Sequence, residues 1–178
     1  MENEKEIFDH NAIDFITVSV EFCKVLEKAN ILSRISFVDT IIKLLPLLYI
    51  KALLLPPYKI IGEEMPKTFV TENLYENLRS TIAKIMAEKD DYLDVFVSDM
   101  KYSDQPIVRY ISEDLADIYQ DIGNLIGAFQ MEMPDIMNDA LAVCQENFKE
   151  YWGQKLVNTL RALHEVKFLL SEEDDVIE

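Results

Sequence analysis

One stretch of the chain carries an apolar pattern that strongly limits what it can fold into. Its apolar residues recur at intervals of 4, 3, 4, 3 and 4 positions, and they are Ile111, Leu115, Ile118, Ile122, Leu125 and Phe129. These intervals return to one face of an α-helix at every turn, whereas residues on one side of a strand are two positions apart. The pattern therefore predicts a helix that packs along this seam against other helices.

Scarce glycine supports an all-helical chain. The 178 residues include only 4 glycines, while hairpins and dinucleotide-binding folds depend on glycine at their turns. A chain of this length buries one proper core, and two domains would each be small. We therefore expect an all-α, single-domain bundle of about five main helices over residues 1–170. An acidic, disordered tail is expected over residues 171–178.

The second helix is expected over residues 33–55 and is the most apolar of the set. Because apolar residues occupy nearly all of its sides, we expect it to be buried at the centre of the bundle. Pro46 lacks a backbone donor, which predicts a kink or a break at that position. Asp39, Lys43 and Lys51 interrupt the segment and argue against a membrane span.

Capping residues predict where the other helices begin. We expect Asn11 to cap the first helix, and Thr71 to cap the third after a long connection. Ser112 is expected to cap the fourth helix, which carries the seam. Between them, residues 90–100 contain Tyr92 in a pattern that predicts a short helix of two or three turns.

The last helical pattern begins near Pro134, where a missing backbone donor does no harm. One long helix to about residue 170 and two helices joined at Gly153 both fit it. On the seam helix, Ala116, Gly123 and Gly127 share a second face. Small side chains there would admit the close approach of another helix.

The formal net charge of −16 disfavours nucleic acids and anionic membranes as partners. Because apolar helix faces are in surplus and no catalytic motif is found, a protein partner or a second copy of the chain is the expected kind of partner. Cys23 and Cys144 lie among apolar neighbours, and we expect both to be reduced and buried. The N-terminus has neither the basic nor the apolar region of a signal peptide, so the cytoplasm is the expected location.

Three aspartates, Asp114, Asp117 and Asp121, run along one flank of the seam. The commoner structure with this pattern is a solvated helix edge. The alternative is a carboxylate cluster that holds Mg²⁺ and a phosphorylated substrate. The string Glu113-Asp114-x-x-Asp117 matches half of the metal motif of all-α nucleotide pyrophosphatases, but the second acidic pair is missing. No other metal or cofactor is predicted.

A second set of polar residues lies on the last helical pattern. Asn138, Gln145 and Trp152 follow one another at intervals of seven. If that edge faces the aspartates, the six residues would form a polar groove with an aromatic end. The alternative is that the two amides form hydrogen bonds between helices. Whether a cleft lies beside the helix over residues 112–130 is left open by the sequence.

Several long strings resemble one bacterial family. They are FVDTIIKLLPLLYIKA, KDDYLDVFVSDMKYSD, ISEDLADIYQDI and ENFKEYWGQKLVNTLRALH. The chain resembles domain-of-unknown-function family 5063 over nearly its whole length. The resemblance implies an all-helical cytoplasmic protein of bacteria and carries no catalytic or binding residues with it. The favoured hypothesis is a non-enzymatic interaction protein, and the alternative is a magnesium-dependent hydrolase of phosphorylated small molecules.

Overall fold

The computed structural model describes residues 8–64, 66–94 and 105–173. Over these residues the chain is mostly helical and contains one small antiparallel sheet. The helices are α1 His10–Glu27, α2 Arg34–Leu53, α3 Glu72–Met86, α4 Ile111–Phe129, α5 Pro134–Asn147 and α6 Gly153–Glu173. The strands are β1 Asp91–Asp94 and β2 Ile107–Tyr110. The predicted all-α fold is therefore confirmed, with a two-stranded addition.

The seam of α4 lies at the centre of the core. Ile111, Leu115, Ile118 and Ile122 are fully buried, and Phe129 is partly buried at the end of the helix. Helices α1, α3, α5 and α6 all pack against α4. The heptad spacing therefore correctly predicted both the helix and its buried face.

Helix α2 is not the buried central helix that its composition predicts. Its inner face is buried through Phe37, Ile41 and Leu45, and it packs against α1 and α6. Its outer face leaves Leu47 and Ile50 about half exposed. The prediction was wrong because apolar composition shows only that a helix tolerates burial on all sides. Whether all of its sides are buried depends on how many other helices pack against it.

Pro46 lies inside α2, and the helix continues through it from Arg34 to Leu53. The predicted break is therefore absent. Ser33 caps the helix by accepting a hydrogen bond from Ser36 N at 3.3 Å. Loss of one backbone hydrogen bond at the proline is tolerated because the inner face of the helix is held by the core.

The segment after α3 forms a strand instead of the predicted short helix. Asp91 pairs with Tyr110 and Asp94 with Ile107, in an antiparallel register. This tertiary pairing overrides the local pattern, since a strand gains its hydrogen bonds from a distant partner. The rest of the predicted short helix, over residues 95–100, lies outside the described residues.

A π-helical turn over Phe148–Trp152 joins α5 to α6. A Cβ atom on Gly153 would lie only 2.4 Å from the carbonyl oxygen of Phe148, so glycine is what allows the wide turn to close. Helices α5 and α6 therefore run on from one another through a local widening of the helix. This combines the two arrangements that the sequence allowed, one long helix and two helices joined at Gly153. Within the predicted acidic tail, Ser171–Glu173 belong to α6, and residues 174–178 lie outside the described residues.

The caps of α1 and α3 test two sequence predictions. Asp9 caps α1, because its Oδ1 accepts from Asn11 N at 2.9 Å, so the expectation for Asn11 was wrong by two positions. Thr71 caps α3 as predicted and accepts from Leu74 N at 3.2 Å. Asp and Asn are both strong capping residues, and only the backbone geometry decides between neighbours.

Two of the small residues of α4, Gly123 and Gly127, admit a loop and not another helix. A Cβ atom on Gly127 would lie 2.3 Å from Phe69 Cγ, and one on Gly123 would lie 2.7 Å from a methyl group of Val70. The extended segment before α3 therefore lies directly on α4. Asn124 Oδ1 holds it there by accepting from Phe69 N at 2.6 Å and Val70 N at 2.8 Å.

Both cysteines, Cys23 and Cys144, are buried and free, as predicted. Burial raises the pKa of the Cys23 thiol to about 12, with a smaller contribution from Glu27. Within the part of the chain that the structure describes, no helix has the length and apolar character that crossing a membrane requires.

Candidate functional site

Asp114 is buried in a polar network between α4, β1 and α6. Its side chain accepts a hydrogen bond from the hydroxyl of Tyr92, and Thr159 Oγ1 lies 3.4 Å from its Oδ2. The ammonium of Lys155 lies 3.4 Å from its Oδ1. With only 2% of its surface exposed, Asp114 is not part of a solvated edge.

Asp117 completes this network on the side of α3. Lys155 Nζ lies 2.6 Å from Asp117 Oδ2, and the hydroxyl of Tyr75 donates to Asp117 Oδ1 at 2.7 Å. Lys155 therefore bridges two aspartates of α4. Its ammonium occupies the position between the carboxylates where the magnesium hypothesis requires a cation.

Asp121 is separated from this ion pair and binds an amide. Asn147 Nδ2 donates to Asp121 Oδ1 at 2.5 Å, at the end of α5. Burial raises the pKa of Asp121, partly offset by this hydrogen bond. All three aspartates thus contact other elements, and the predicted solvated edge was wrong. The flank of α4 is covered because α3, α5 and α6 bring Tyr75, Asn147 and Lys155 to it.

Burial dominates the electrostatics of the network. It raises the pKa of Asp114, while the hydrogen bond from Tyr92 and the charge of Lys155 act in the opposite direction. Burial also raises the pKa values of Tyr75 and Tyr92, and the neighbouring carboxylates raise them further. For Lys155, burial lowers the pKa, but the hydrogen bond and charge of Asp117 outweigh it and raise the value overall.

The structure does not bring the six candidate residues into one groove. Gln145 faces the connection after α2, where its Oε1 accepts from Tyr58 N at 3.1 Å and its Nε2 donates to Pro56 O at 3.1 Å. Asn138 Nδ2 donates to Lys59 O at 2.7 Å. The amides therefore satisfy the backbone of a loop, where the sequence predicted either a groove or bonds between helices.

Trp152 belongs to the core. It is 1% exposed, and its indole nitrogen donates to Cys144 O at 3.0 Å. Its ring lies 4.6 Å from the ring of Phe148 and 6.4 Å from that of Phe15, measured between centroids. A tryptophan held on all sides in this way is a packing residue and offers no surface to a ligand.

Two further polar residues organise the fold and were missed in the sequence. Asp90 caps α4, since it accepts from Ser112 N at 2.8 Å and from Ser112 Oγ at 2.7 Å. Ser112 is therefore capped and is not the cap. Asp139 accepts from Ile61 N and Gly62 N, both at 2.8 Å. Neither role has a local sequence signal, because each partner lies far along the chain.

Metal ligands are not grouped among the residues at 8–64, 66–94 and 105–173. No three histidine, cysteine, aspartate or glutamate side chains of this part of the chain come together as ligands. The carboxylates of Asp114 and Asp117 instead share an ammonium and two phenol hydroxyls. These contacts describe a structural network that ties β1, α3 and α6 to α4.

A cavity of about 470 Å³ lies beside β1, at the N-terminal end of α4. Tyr92 lines this cavity, and its hydroxyl binds Asp114 of the buried network. The lining residues are Glu88, Lys89, Asp91, Tyr92, Leu93, Asp94, Ile111, Asn158, Arg161, Ala162, Glu165 and Val166. This cavity lies along β1 and α6, and none of the six candidate residues lines it.

The fold and these contacts define an acidic helical bundle that carries a small β-hairpin and a buried aspartate–lysine network. The chain belongs to the family described as domain of unknown function DUF5063, whose profile matches residues 6–169. It is similar to the crystal structure of protein BF1032 from Bacteroides fragilis, and the two sequences are 56% identical. That alignment covers 91% of this chain and 95% of the other, with a TM-score of 0.83. No curated protein matches the chain.

Proposed function

We propose that this protein works by binding another protein and that the outer face of α2 is the binding surface. The observation that carries the proposal is an exposed group of large apolar side chains, here called the α2 surface. Their exposed fractions are 47% for Leu47, 51% for Ile50, 60% for Leu53 and 51% for Leu54. Contiguous exposed apolar groups of this kind mark interaction sites in folded proteins.

The spacing of these side chains suits a helical contact. Leu47, Ile50 and Leu54 are three and four positions apart, so they form a stripe along the helix. Ile60 and Ile61, in the connection that follows, are also nearly half exposed. A stripe of this geometry accepts the apolar face of a second helix.

The charges around the stripe favour a second copy of the chain as the partner. The chain carries a net charge of −16, yet residues 31–60 contain one acid and four bases. Three of these bases are already paired, Lys43 with Asp39, Lys51 with Asp14 and Arg34 with Glu88, each at 2.6 Å. Two copies meeting here avoid the acidic repulsion that opposes contact elsewhere. A two-fold dimer, the commonest oligomer, would place stripe against stripe.

The polar residues considered for catalysis have structural partners, which supports binding over chemistry. Lys155 lies between Asp114 and Asp117, and Asn138 and Gln145 hold a loop. The proposal requires no metal or cofactor. The strong negative charge continues to disfavour nucleic acids and anionic membranes as partners. We place the protein in the cytoplasm, since free thiols such as Cys23 and Cys144 are typical of reducing compartments.

The test compares two substitutions on the same helix by sedimentation velocity, from about 1 μM to about 1 mM protein. Ile50→Glu places a charge in the α2 surface and should abolish self-association. Ile35→Glu is the matched control, because Ile35 is 61% exposed but lies near the other end of α2. It should leave association intact. A native protein that stays monomeric throughout this range would overturn the second-copy proposal, as would equal loss in both variants.

A further inference from the structure

The first part of the connection between α2 and α3, residues 55–64, is held to the bundle through its backbone and is here called the strap. Gln145 Nε2 donates to Pro56 O at 3.1 Å. Asn138 Nδ2 donates to Lys59 O at 2.7 Å. Both donors are side chains of α5, and both acceptors are backbone atoms of the strap. The path of the strap is therefore fixed independently of where its own side chains point.

Asp139 holds the middle of the strap with a buried carboxylate. The residue is 5% exposed, and it accepts from Ile61 N and Gly62 N, both at 2.8 Å. Burial of a carboxylate is costly, and charge-assisted hydrogen bonds from backbone N–H groups offset the cost. A Cβ atom on Gly62 would lie 2.7 Å from Asp139 Oδ2, so glycine allows this close contact. The middle of the strap is therefore ordered against α5.

The two side chains that the strap presents at this point are apolar and nearly half exposed. The exposed fractions are 47% for Ile60 and 46% for Ile61. Asn138 binds the residue before this pair, and Asp139 binds Ile61 and the residue after it. The backbone is thus held on both sides of the isoleucines. Order of this kind in the free protein reduces the entropy lost when a partner covers the side chains.

The strap continues directly from the α2 surface. Leu54, at the end of that surface, precedes Ile60 by six residues, a span of at most about 22 Å even in extended chain. Between them, Leu55 and Tyr58 are buried. The strap is therefore anchored in the core before it returns to the exterior with its two isoleucines.

We infer that Asp139 is a positioning residue for self-association, because it orders Ile60 and Ile61 for contact with the second copy that binds the α2 surface. This inference rests on the proposed function. The isoleucines extend the exposed apolar area beyond α2, and Asp139 acts through them without touching the second copy. The loss of Asp139 should therefore weaken association while the α2 surface itself is unchanged.

The test compares Asp139→Ala with a matched control, Asn124→Ala, by sedimentation velocity. Asn124 also accepts from two backbone N–H groups of the same connection, but at Phe69 and Val70, away from the isoleucines. Asp139→Ala should raise the dimer Kd about tenfold, and Asn124→Ala should change it less than about twofold. A residue that only supports the fold would not distinguish these variants, so equal Kd values would overturn the inference.

A double-mutant cycle checks that Asp139 acts through the isoleucines. Replacement of both Ile60 and Ile61 by serine should raise the dimer Kd about tenfold or more. In that background Asp139→Ala should add less than a factor of about two, because the side chains that it orders are gone. A further loss of about tenfold would contradict a positioning role.

Thermal melting verifies that the variants fold, and hydrogen exchange at the Ile61 and Gly62 amides verifies that Asp139→Ala releases the strap. Gly62→Ala is the second variant, since its Cβ atom forces the strap and the Asp139 carboxylate apart. It should weaken association in the same direction as Asp139→Ala. An unchanged Kd in Gly62→Ala, with exchange at Ile61 accelerated, would refute the inference.

The same measurements separate this inference from the proposal for α2. If Ile50→Glu abolishes association while Asp139→Ala leaves the dimer Kd unchanged, the positioning role is wrong and the α2 surface stands. A native protein that stays monomeric up to about 1 mM overturns both.

Discussion

Lys155 and Asp117 form an ion pair of 2.6 Å between Nζ and Oδ2, and it ties α6 to α4. Both side chains are about 28% exposed, so water screens the pair only in part. The same ammonium reaches Asp114, which is almost fully buried. One lysine thus lies between two aspartates and offsets the repulsion between them, and this makes it the central residue of the polar network.

Removal of this lysine should destabilise the protein strongly. Lys155→Met keeps the aliphatic stem but leaves Asp114 and Asp117 without a cation, and truncating one partner of a buried pair costs about 3 kcal/mol. The free energy of unfolding is measured by urea denaturation. Lys149→Met removes an exposed lysine that pairs with Glu146, and its effect should stay within about 0.5 kcal/mol. Equal effects of the two substitutions would show that the network contributes nothing.

Asp121 should behave in the opposite way. Its pKa is raised, chiefly by burial, so its ionised form is disfavoured in the folded state. Asp121→Asn should therefore increase the free energy of unfolding at pH 7. The gain should shrink as the pH falls through the folded pKa and disappear below the ordinary value of 3.8, where the native carboxyl is protonated in both states. Urea titrations at a series of pH values measure this dependence.

The comparison variant for Asp121→Asn is Asp117→Asn, on the same helix. It removes a partner of Lys155 and should lower stability at pH 7. A gain in both variants, or a gain from Asp121→Asn that persists at acid pH, would contradict the assignment of burial as the dominant effect.

Gly127 should not tolerate even alanine. A Cβ atom there would lie 2.3 Å from Phe69 Cγ, so Gly127→Ala forces the ring away and should cost about 1–3 kcal/mol. A Phe69→Gly background also removes the Phe69 Cβ atom, which would lie 2.7 Å from the new Cβ. In that background the same substitution should instead stabilise by about 1 kcal/mol, because alanine is the better helix former. Thermal or urea unfolding of the four proteins completes the cycle. A loss of the same size in both backgrounds would mean that Phe69 is not the obstacle.

Local patterns predicted the parts of this fold that depend on local physics. The spacing from Ile111 to Phe129 specifies a helical face, since a helix repeats every 3.6 residues. Thr71 caps α3 through a bond to a backbone nitrogen only three residues away. The scarcity of glycine predicted the helical fold, and the apolar neighbours of Cys23 and Cys144 predicted that both thiols are buried.

Patterns of the same kind were misleading wherever a distant partner decided the outcome. The strand β1 forms because β2 lies beside it, and no periodicity over four residues can show that. The outer face of α2 looks like core in composition but stays exposed, because among the described residues the main packing partners of this helix are α1 and α6 alone. Asn138 and Gln145 were placed on the correct edge of a helix, yet their partners are loop carbonyls about 80–90 residues away.

The sequence by itself determined that this chain is a helical bundle, where the seam of α4 lies and which residues lie along its flank. It could not determine whether that flank is exposed to solvent. Only the tertiary structure decided this, by placing side chains of β1, α3, α5 and α6 against Asp114, Asp117 and Asp121. The physical reason is that helix periodicity records the direction of a side chain, whereas burial and charge pairing depend on what the rest of the chain brings to meet it.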